Sequence, residues 1–238
     1  MIQVSPHLYI TPCDPDTDRP VLGLAVGEKF SVCLDAGNSP QHHNDFLTEV
    51  QKQGLPLPSL CLITHWHWDH TYGMCALRCP SVAGVATNLK LQQMADWKWD
   101  DTSMKTRVQT GEDVQFCDDH IRVEYPDRSK IKVVPADITF NGSLTLDLGG
   151  VNLQAFPLNS PHTEDCIAFL VDDILFMGDA LSPKILGEDW VVFPHLHRAL
   201  IQQLNSIQFN TAVWGHGDPI PKQELLQTLI DDLKNTEQ

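Results

Sequence analysis

The 238-residue sequence contains no apolar run approaching the roughly 20 residues that a membrane-spanning helix needs. Its first residues, Met1 to Pro6, lack the basic stretch and apolar core that mark an export signal. It also has no internal repeat, low-complexity tract or long linker. We therefore expect a soluble, cytoplasmic protein with a single domain over residues 1–238 and no membrane partner.

Basic residues are scarce, because only 16 Lys and Arg stand against 31 Asp and Glu, for a formal net charge of −15. Nucleic acids and anionic membranes are bound by clustered Lys and Arg, so neither is an expected partner. A local basic strip of Arg122, Arg128, Lys130 and Lys132 keeps a nuclease open as an alternative. Solvated surface charge is the simpler interpretation of this strip.

Cysteine pairs with C-x-x-C spacing are missing, although the chain has seven cysteines. Cys33, Cys61 and Cys166 lie within apolar runs, as buried thiols do. This pattern favours reduced cysteines in a cytosolic protein over a disulfide framework.

The sequence does contain a dense group of potential metal ligands, His65, His67, Asp69 and His70. The group follows the short apolar run 59–63, which predicts a buried strand with the ligands on the loop beyond it. Three imidazoles and a carboxylate this close together would be costly to bury unpaired, and zinc prefers such ligands. Four ligands cannot complete two tetrahedral shells, so further ligands are expected downstream.

Three more candidates follow apolar segments in the second half of the chain. His162 comes after the strand-like run Val151 to Phe156, while Asp179 and His216 each end a short apolar run beside a glycine. Gly and Pro next to these residues are typical of loops at strand ends. The sequence therefore predicts three further potential ligands, each on a loop at the end of a strand.

The order H-x-H-x-D-H, distant His, Asp, final His resembles the signature of the metallo-β-lactamase fold hydrolases. Gly73 and the strand-plus-Asp segment ending at Asp35 also resemble features of this family. The resemblance implies two zinc ions per chain, with iron or manganese as alternatives. It implies a first site of His65, His67 and His162, a second of Asp69, His70 and His216, and Asp179 bridging both. Asp35 would support the site from behind the ligands.

Strands and helices alternate along the rest of the chain. A helix is expected from Ser39, as N-cap, and Pro40 to Gly54, and another from Thr87 towards Trp99. Short strands are expected at 121–124 and 132–134, among other places. Two strand-rich halves with helices outside predict an α/β (α+β) fold, a four-layer αββα sandwich, as the resemblance also implies. An insert at about 88–143 could cover the active site.

The resemblance implies a hydrolase in which a metal-bridging hydroxide cleaves a small ester, thioester or lactone. Asp69 and Asp179 are the predicted catalytic residues, since either could orient that hydroxide or take its proton. The alternatives are a metal-dependent phosphodiesterase or nuclease, and a mononuclear iron dioxygenase of the persulfide-dioxygenase type. A non-catalytic protein with a structural metal is a further alternative.

Some residues near the ligands keep open roles in this interpretation. Tyr72 and Lys184 could reach a substrate carbonyl or carboxylate, whereas His195 and His197 mimic H-x-H spacing without further partners. We expect a small-molecule substrate. The oligomeric state is not determined by the sequence, and a homodimer is compatible with it.

Overall fold

The computed structural model describes residues 1–187 and 189–236 of the chain. Its strands, in chain order, are β1 (Ile2–Gln3), β2 (Leu8–Ile10), β3 (Gly23–Val26), β4 (Ser31–Leu34), β5 (Leu60–Leu62), β6 (Ser81–Gly84), β7 (Ile138–Phe140), β8 (Leu144–Asp147), β9 (Asn152–Pro157), β10 (Ile167–Val171), β11 (Ile174–Phe176), β12 (Lys184–Leu186), β13 (Asp189–Val191), β14 (Thr211–Val213) and β15 (Ile220–Pro221). Its helices are α1 (Pro40–Lys52), α2 (Trp68–Thr71), α3 (Val85–Met94), α4 (Asp101–Thr110), α5 (Gln115–Glu124), α6 (Pro194–Ser206) and α7 (Lys222–Thr236).

The strands form two mixed sheets and a separate hairpin. The first sheet has the order β1-β2-β3-β4-β5-β6-β7, and the second has the order β15-β14-β11-β10-β9-β8. Strands β4 to β7 run parallel, as do β11 and β14. Because parallel strands end at the same edge of a sheet, the loops after β4 and β5 are neighbours, and so are those after β11 and β14.

Three apolar cores make the fold a four-layer αββα sandwich, as the sequence predicts. The central core lies between the sheets and joins Leu34 and Leu62 of the first to Phe169 and Phe176 of the second. The outer cores lie between each sheet and its helices. One includes Phe46, Val50, Leu91 and Met94 against the first sheet, and the other includes Leu200, Leu204, Leu225 and Leu229 against the second.

Helix α1 confirms the predicted start at Ser39 and Pro40. The Ser39 Oγ accepts a hydrogen bond from the His42 backbone N–H at 3.0 Å, which satisfies a free donor of the first turn. Gly54 follows the helix with a φ of +67°, a conformation that glycine adopts without strain.

Two sequence-based expectations are wrong, and the bounds of a third differ from those expected. The predicted strand at 121–124 is the last part of α5, where Arg122 pairs with Asp118 one turn earlier and Ile121 is buried. Residues 132–134 form no strand. The helix expected from Thr87 begins at Val85, with Gly84 as its N-cap, and ends at Met94. In α5, the Arg122–Asp118 ion pair and the burial of Ile121 outweigh the local strand pattern.

The segment between β6 and β7 contains α3, α4 and α5 and overlaps the predicted insert. The boundaries of that insert and its covering role stay a prediction. Within the described residues, no helix is both long and apolar enough to span a membrane.

Candidate metal centre

The predicted ligands lie where strands of both sheets end. His65 and His67 follow β5, and Asp69 and His70 lie in the one-turn helix α2. His162 follows β9, while Asp179 and His216 follow the parallel neighbours β11 and β14. Two backbone hydrogen bonds fix this edge: Gly215 N–H donates to Gly178 O at 2.9 Å, and Ile167 N–H donates to Thr64 O at 2.8 Å.

The structure brings all seven side chains together in two adjoining groups. The first is His65, His67 and His162, and the second is Asp69, His70, Asp179 and His216. Within each group the potential ligand atoms lie within 4.8 Å of one another.

Asp179 lies between the two groups. Its Oδ2 atom is 3.3 Å from His216 Nε2, 3.4 Å from His70 Nε2 and 3.7 Å from His162 Nε2. It is the only one of the four residues in the second group for which an ion-pair distance to the first group is found among the described residues. This central position is compatible with the bridging role predicted for Asp179.

Hydrogen bonds from outside orient three of the imidazoles. Asp35 faces His70 Nδ1 at 2.7 Å, the Pro183 carbonyl faces His162 Nδ1 at 3.2 Å, and the Thr64 hydroxyl faces His65 Nδ1 at 3.0 Å. A ring whose Nδ1–H is engaged in this way presents the Nε2 lone pair to the site.

Asp35 serves two elements at once, as the supporting role implied for it requires. Its fully buried carboxylate also accepts the Thr64 N–H at 2.8 Å and lies within 3.0 Å of the Thr64 hydroxyl. Its φ of +63° is unusual for a residue with a side chain, and such strain is typical of functional sites. Asp35 thus fixes the positions of His70 and of the strand end that carries His65.

The remaining side-chain nitrogen and oxygen atoms of the two groups fit metal ions. His65 Nε2 and Asp179 Oδ1 are buried and have no hydrogen-bond partner among the described residues. His67 Nδ1 and His162 Nε2 lie 2.7 Å apart, a distance that two lone pairs tolerate only with a shared proton or cation between them. Imidazole nitrogen and carboxylate oxygen are ligands of the zinc type, so the donor set fits the implied ions.

Burial and nearby charge shift the pKa values of histidines in the two ligand groups in opposite directions. Burial lowers the pKa of His65 well below its usual value and that of His67 to about 3, so both rings are neutral, the form that binds metal. Burial also acts to lower the pKa of His70 and His216, but the carboxylates of Asp69 and Asp179 outweigh it and hold both values well above normal. Metal ions would replace these protons.

Two glycines make room for the second group. A Cβ on Gly215 would lie 2.0 Å from Asp179 Oδ1, so no larger residue fits behind that carboxylate. Gly178 has a φ of +51°, and its Cβ would lie 2.6 Å from the Thr64 hydroxyl. The sequence pattern marked both glycines only as loop residues.

A cavity of about 1110 Å³ opens onto the metal ligands. It is lined on one side by His67, Asp69 and Asp179, and on the others by α5 and the β12–β13 hairpin. Phe116 of α5 and Trp190 of the hairpin pack edge to face with ring centroids 5.7 Å apart. The cavity can therefore hold a small molecule against the ligands.

The four residues whose roles the sequence leaves open lie at different positions relative to the metal ligands. Lys184 is exposed on β12 and lines the cavity, whereas Tyr72 is 1% exposed and its hydroxyl has no partner among the described residues. His195 and His197 lie on α6 and join neither group of ligands. Burial lowers the pKa of His197.

Two aspartates near the site were missed by sequence reasoning. Asp165 accepts hydrogen bonds from the Trp66 N–H at 3.0 Å and the Thr87 hydroxyl at 2.8 Å, which ties the His65 loop to the second half of the chain. Asp18 Oδ1 lies 3.7 Å from His216 Nδ1, and burial together with the Asp69 charge raises its pKa to about 7. Neither lies in a motif, and only the fold brings them here.

A four-layer αββα fold with two groups of His and Asp side chains at the sheet edge is the architecture of a metal-binding protein. The family model of the metallo-beta-lactamase superfamily matches residues 22–216, so the chain belongs to that superfamily and the resemblance is confirmed. A hydroxyacylglutathione hydrolase of Shewanella halifaxensis is 27% identical over 207 residues. The match covers 87% of this chain but 64% of that relative, so the chain spans less than two thirds of its length.

Solved structures show the same fold. A metallo-beta-lactamase from Pontibacter korlensis superposes with a TM-score of 0.68 at 19% identity, covering 98% of both chains. An archaeal metallo-beta-lactamase superfamily protein from Sulfolobus tokodaii has a TM-score of 0.62 at 19% identity, covering 95% of this chain and 86% of that one. At these identities the likeness concerns the fold alone.

Proposed function

We propose that this chain is a dinuclear zinc hydrolase that cleaves a small ester, thioester or lactone. The observation that carries the proposal is the pair of adjoining ligand groups with Asp179 between them, open to one cavity. Two zinc ions bound there would lower the pKa of a shared water and polarise the substrate carbonyl.

The chain's own residues have three tasks in this reaction. His65, His67 and His162 would hold one ion, while Asp69, His70 and His216 would hold the other, with Asp179 in contact with both. Asp69 and Asp179 would orient the attacking water and accept its proton, a role supported by their position in the lining of the cavity. The aromatic wall of Phe116 and Trp190 would limit the access of other water molecules.

The phosphodiesterase alternative has less support because its basic surface is neutralised. Arg122 pairs with Asp118 at 2.7 Å and with Asp101 at 2.6 Å, and Arg128 pairs with the same Asp101 at 2.5 Å. Lys130 lies 3.7 Å from Asp127. The strip that kept a nuclease open is therefore largely an ion-pair network, which favours a substrate other than a polyanion.

The first experiment is elemental analysis of protein purified without added metal, followed by a substrate panel. The proposal expects two zinc ions per chain and metal-dependent turnover of an ester, a lactone or a thioester such as a hydroxyacylglutathione. One iron per chain would support the dioxygenase alternative and overturn the proposal. Faster turnover of bis-p-nitrophenyl phosphate than of every carboxyl ester would overturn the substrate class.

Replacement of Asp179 tests its bridging role, and a matched surface variant controls for a general loss of structure. Asp179→Ala is expected to lose bound zinc and activity together, because both ligand groups contact this carboxylate. Asp96→Ala, at an exposed aspartate on the surface, serves as the matched control. A fully metallated, active Asp179→Ala protein would refute the bridging assignment.

A further inference from the structure

Lys90 is a half-buried lysine in the cavity wall. It lies in α3, and its Nζ atom is 4.8 Å from the ring centroid of Trp66 and 5.6 Å from that of Trp97. No carboxylate of the described residues forms an ion pair with it, although the net charge is −15. Stacking on the two rings holds the ammonium in place, and none of its three N–H donors has a hydrogen-bond partner within the part of the chain that the structure describes.

The ammonium lies close to the metal ligands. Trp66 packs edge to face on His67 with ring centroids 4.4 Å apart, and the Lys90 Nζ lies 4.8 Å from the Trp66 centroid. The distance from the Lys90 Nζ to the His67 ring centroid is therefore at most the sum of these two distances. Lys90, Trp66 and His67 line the same cavity. One small molecule can therefore touch both the ammonium and the ligand groups.

Two acidic residues that line the cavity near Lys90, Asp165 and Asp113, accept hydrogen bonds from other groups. Asp165 accepts from the Trp66 N–H, the Thr87 hydroxyl and the Thr163 hydroxyl. Asp113 accepts from the Val114 N–H at 2.9 Å, and burial raises the pKa of this carboxyl to about 6, although the charge of Lys90 acts to lower it. No ion-pair contact joins the Asp113 and Lys90 side chains among the described residues. An anion entering the cavity would thus find a cation whose hydrogen-bond donors are free.

We propose that Lys90, stacked on Trp66 and Trp97, binds a carboxylate of the substrate. The inference rests on the proposed hydrolase function and narrows its substrate class to short esters, thioesters or lactones that carry a free carboxylate. A carboxylate held by Lys90 would place a carbonyl a few bonds away beside His67 and Asp69. A hydrogen bond between two charged groups at a half-buried site supports a preference of about 10- to 100-fold.

The test compares two esters that differ in one group. They are the mono-p-nitrophenyl ester of glutaric acid, with a free carboxylate, and its neutral carboxamide analogue. The ratio of kcat/KM for the two esters is expected to fall about 10- to 100-fold in Lys90→Met, mainly through KM. Lys90→Arg should restore most of the ratio, and Lys105→Met, at an exposed lysine of α4, should leave it at the wild-type value.

A binding measurement keeps this proposal distinct from the proposed function. Glutarate and its monoamide are titrated into the metal-loaded protein, and emission of the tryptophans beside Lys90 reports binding without turnover. The proposal expects tighter binding of glutarate, and expects Lys90→Met to remove that preference. Failure of the wild type to cleave these esters and every ester, thioester and lactone of the panel would overturn the hydrolase function alone. Equal glutarate affinity in wild type and Lys90→Met, or an unchanged ester ratio, would overturn the carboxylate subsite.

Discussion

Replacing Gly215 by alanine should dislodge a metal ligand while leaving the backbone unstrained. Gly215 has no positive φ, so alanine can adopt its conformation. The new Cβ would lie 2.0 Å from Asp179 Oδ1 and 3.2 Å from His70 Cε1, whereas real Cβ contacts essentially never fall under 3.0 Å. The carboxylate would therefore have to retreat by about 1 Å, a displacement that costs roughly 100-fold when it affects a reacting group.

The assay is zinc content after dialysis, together with turnover of the best ester in the panel. In Gly215→Ala we expect bound zinc to fall from two ions to about one, since the displaced Asp179 also contacts His70 and His216. Gly84→Ala is the control, because its Cβ would meet nothing closer than 3.6 Å and its φ is not positive. Two zinc ions and wild-type turnover in Gly215→Ala would show that the Asp179 position does not matter.

Three further predictions concern the support of the site and the stability of the fold. Asp35→Asn should weaken zinc binding roughly 10- to 100-fold, measured by chelator competition, because the amide cannot accept from His70 and Thr64 together; unchanged affinity would contradict the role of Asp35. Burial lowers the pKa of His42 to about 3, below its usual 6.5. The contribution of neutral His42 to the free energy of unfolding is thus complete above about pH 6.5 and is lost as the pH falls. His42→Gln should therefore reduce the drop in unfolding free energy between pH 7 and pH 5 by about 2 kcal/mol. Equal slopes of unfolding free energy against pH for metal-free wild type and variant would refute this. Removal of zinc by a chelator should lower Tm, and re-addition should restore it; an unchanged Tm would show that metal does not stabilise the fold.

The seven side chains that cluster at the site can be found from the sequence because their signal is local. Four of the seven lie within six residues, and the other three each follow an apolar strand beside Gly or Pro. This pattern does not depend on how the rest of the chain packs. Helix α1 is predictable for the same reason, since Ser39 and Pro40 act on the first turn alone.

What the sequence does not predict depends on residues far apart in the chain. The sequence favours solvated charge at Arg122 and Arg128, yet both pair with Asp101, which is 21 and 27 positions away. The segment 121–124 alternates in polarity as a strand does, but burial of Ile121 against the core makes it helical. The role proposed for Lys90 also depends on the fold, because α3 places its ammonium over the rings of Trp66 and Trp97.

The division of the site between the two sheets has a consequence for protein synthesis. His67 and His162 are 95 positions apart, and Asp69 and His216 are 147 positions apart. The compact first motif emerges from the ribosome long before its partners, so the nascent chain exposes several histidines that can bind metal only weakly. Closing loops of this length is slow and comes late. We therefore expect the two ions to be captured after residue 216 has been synthesised, when the second sheet docks on the first.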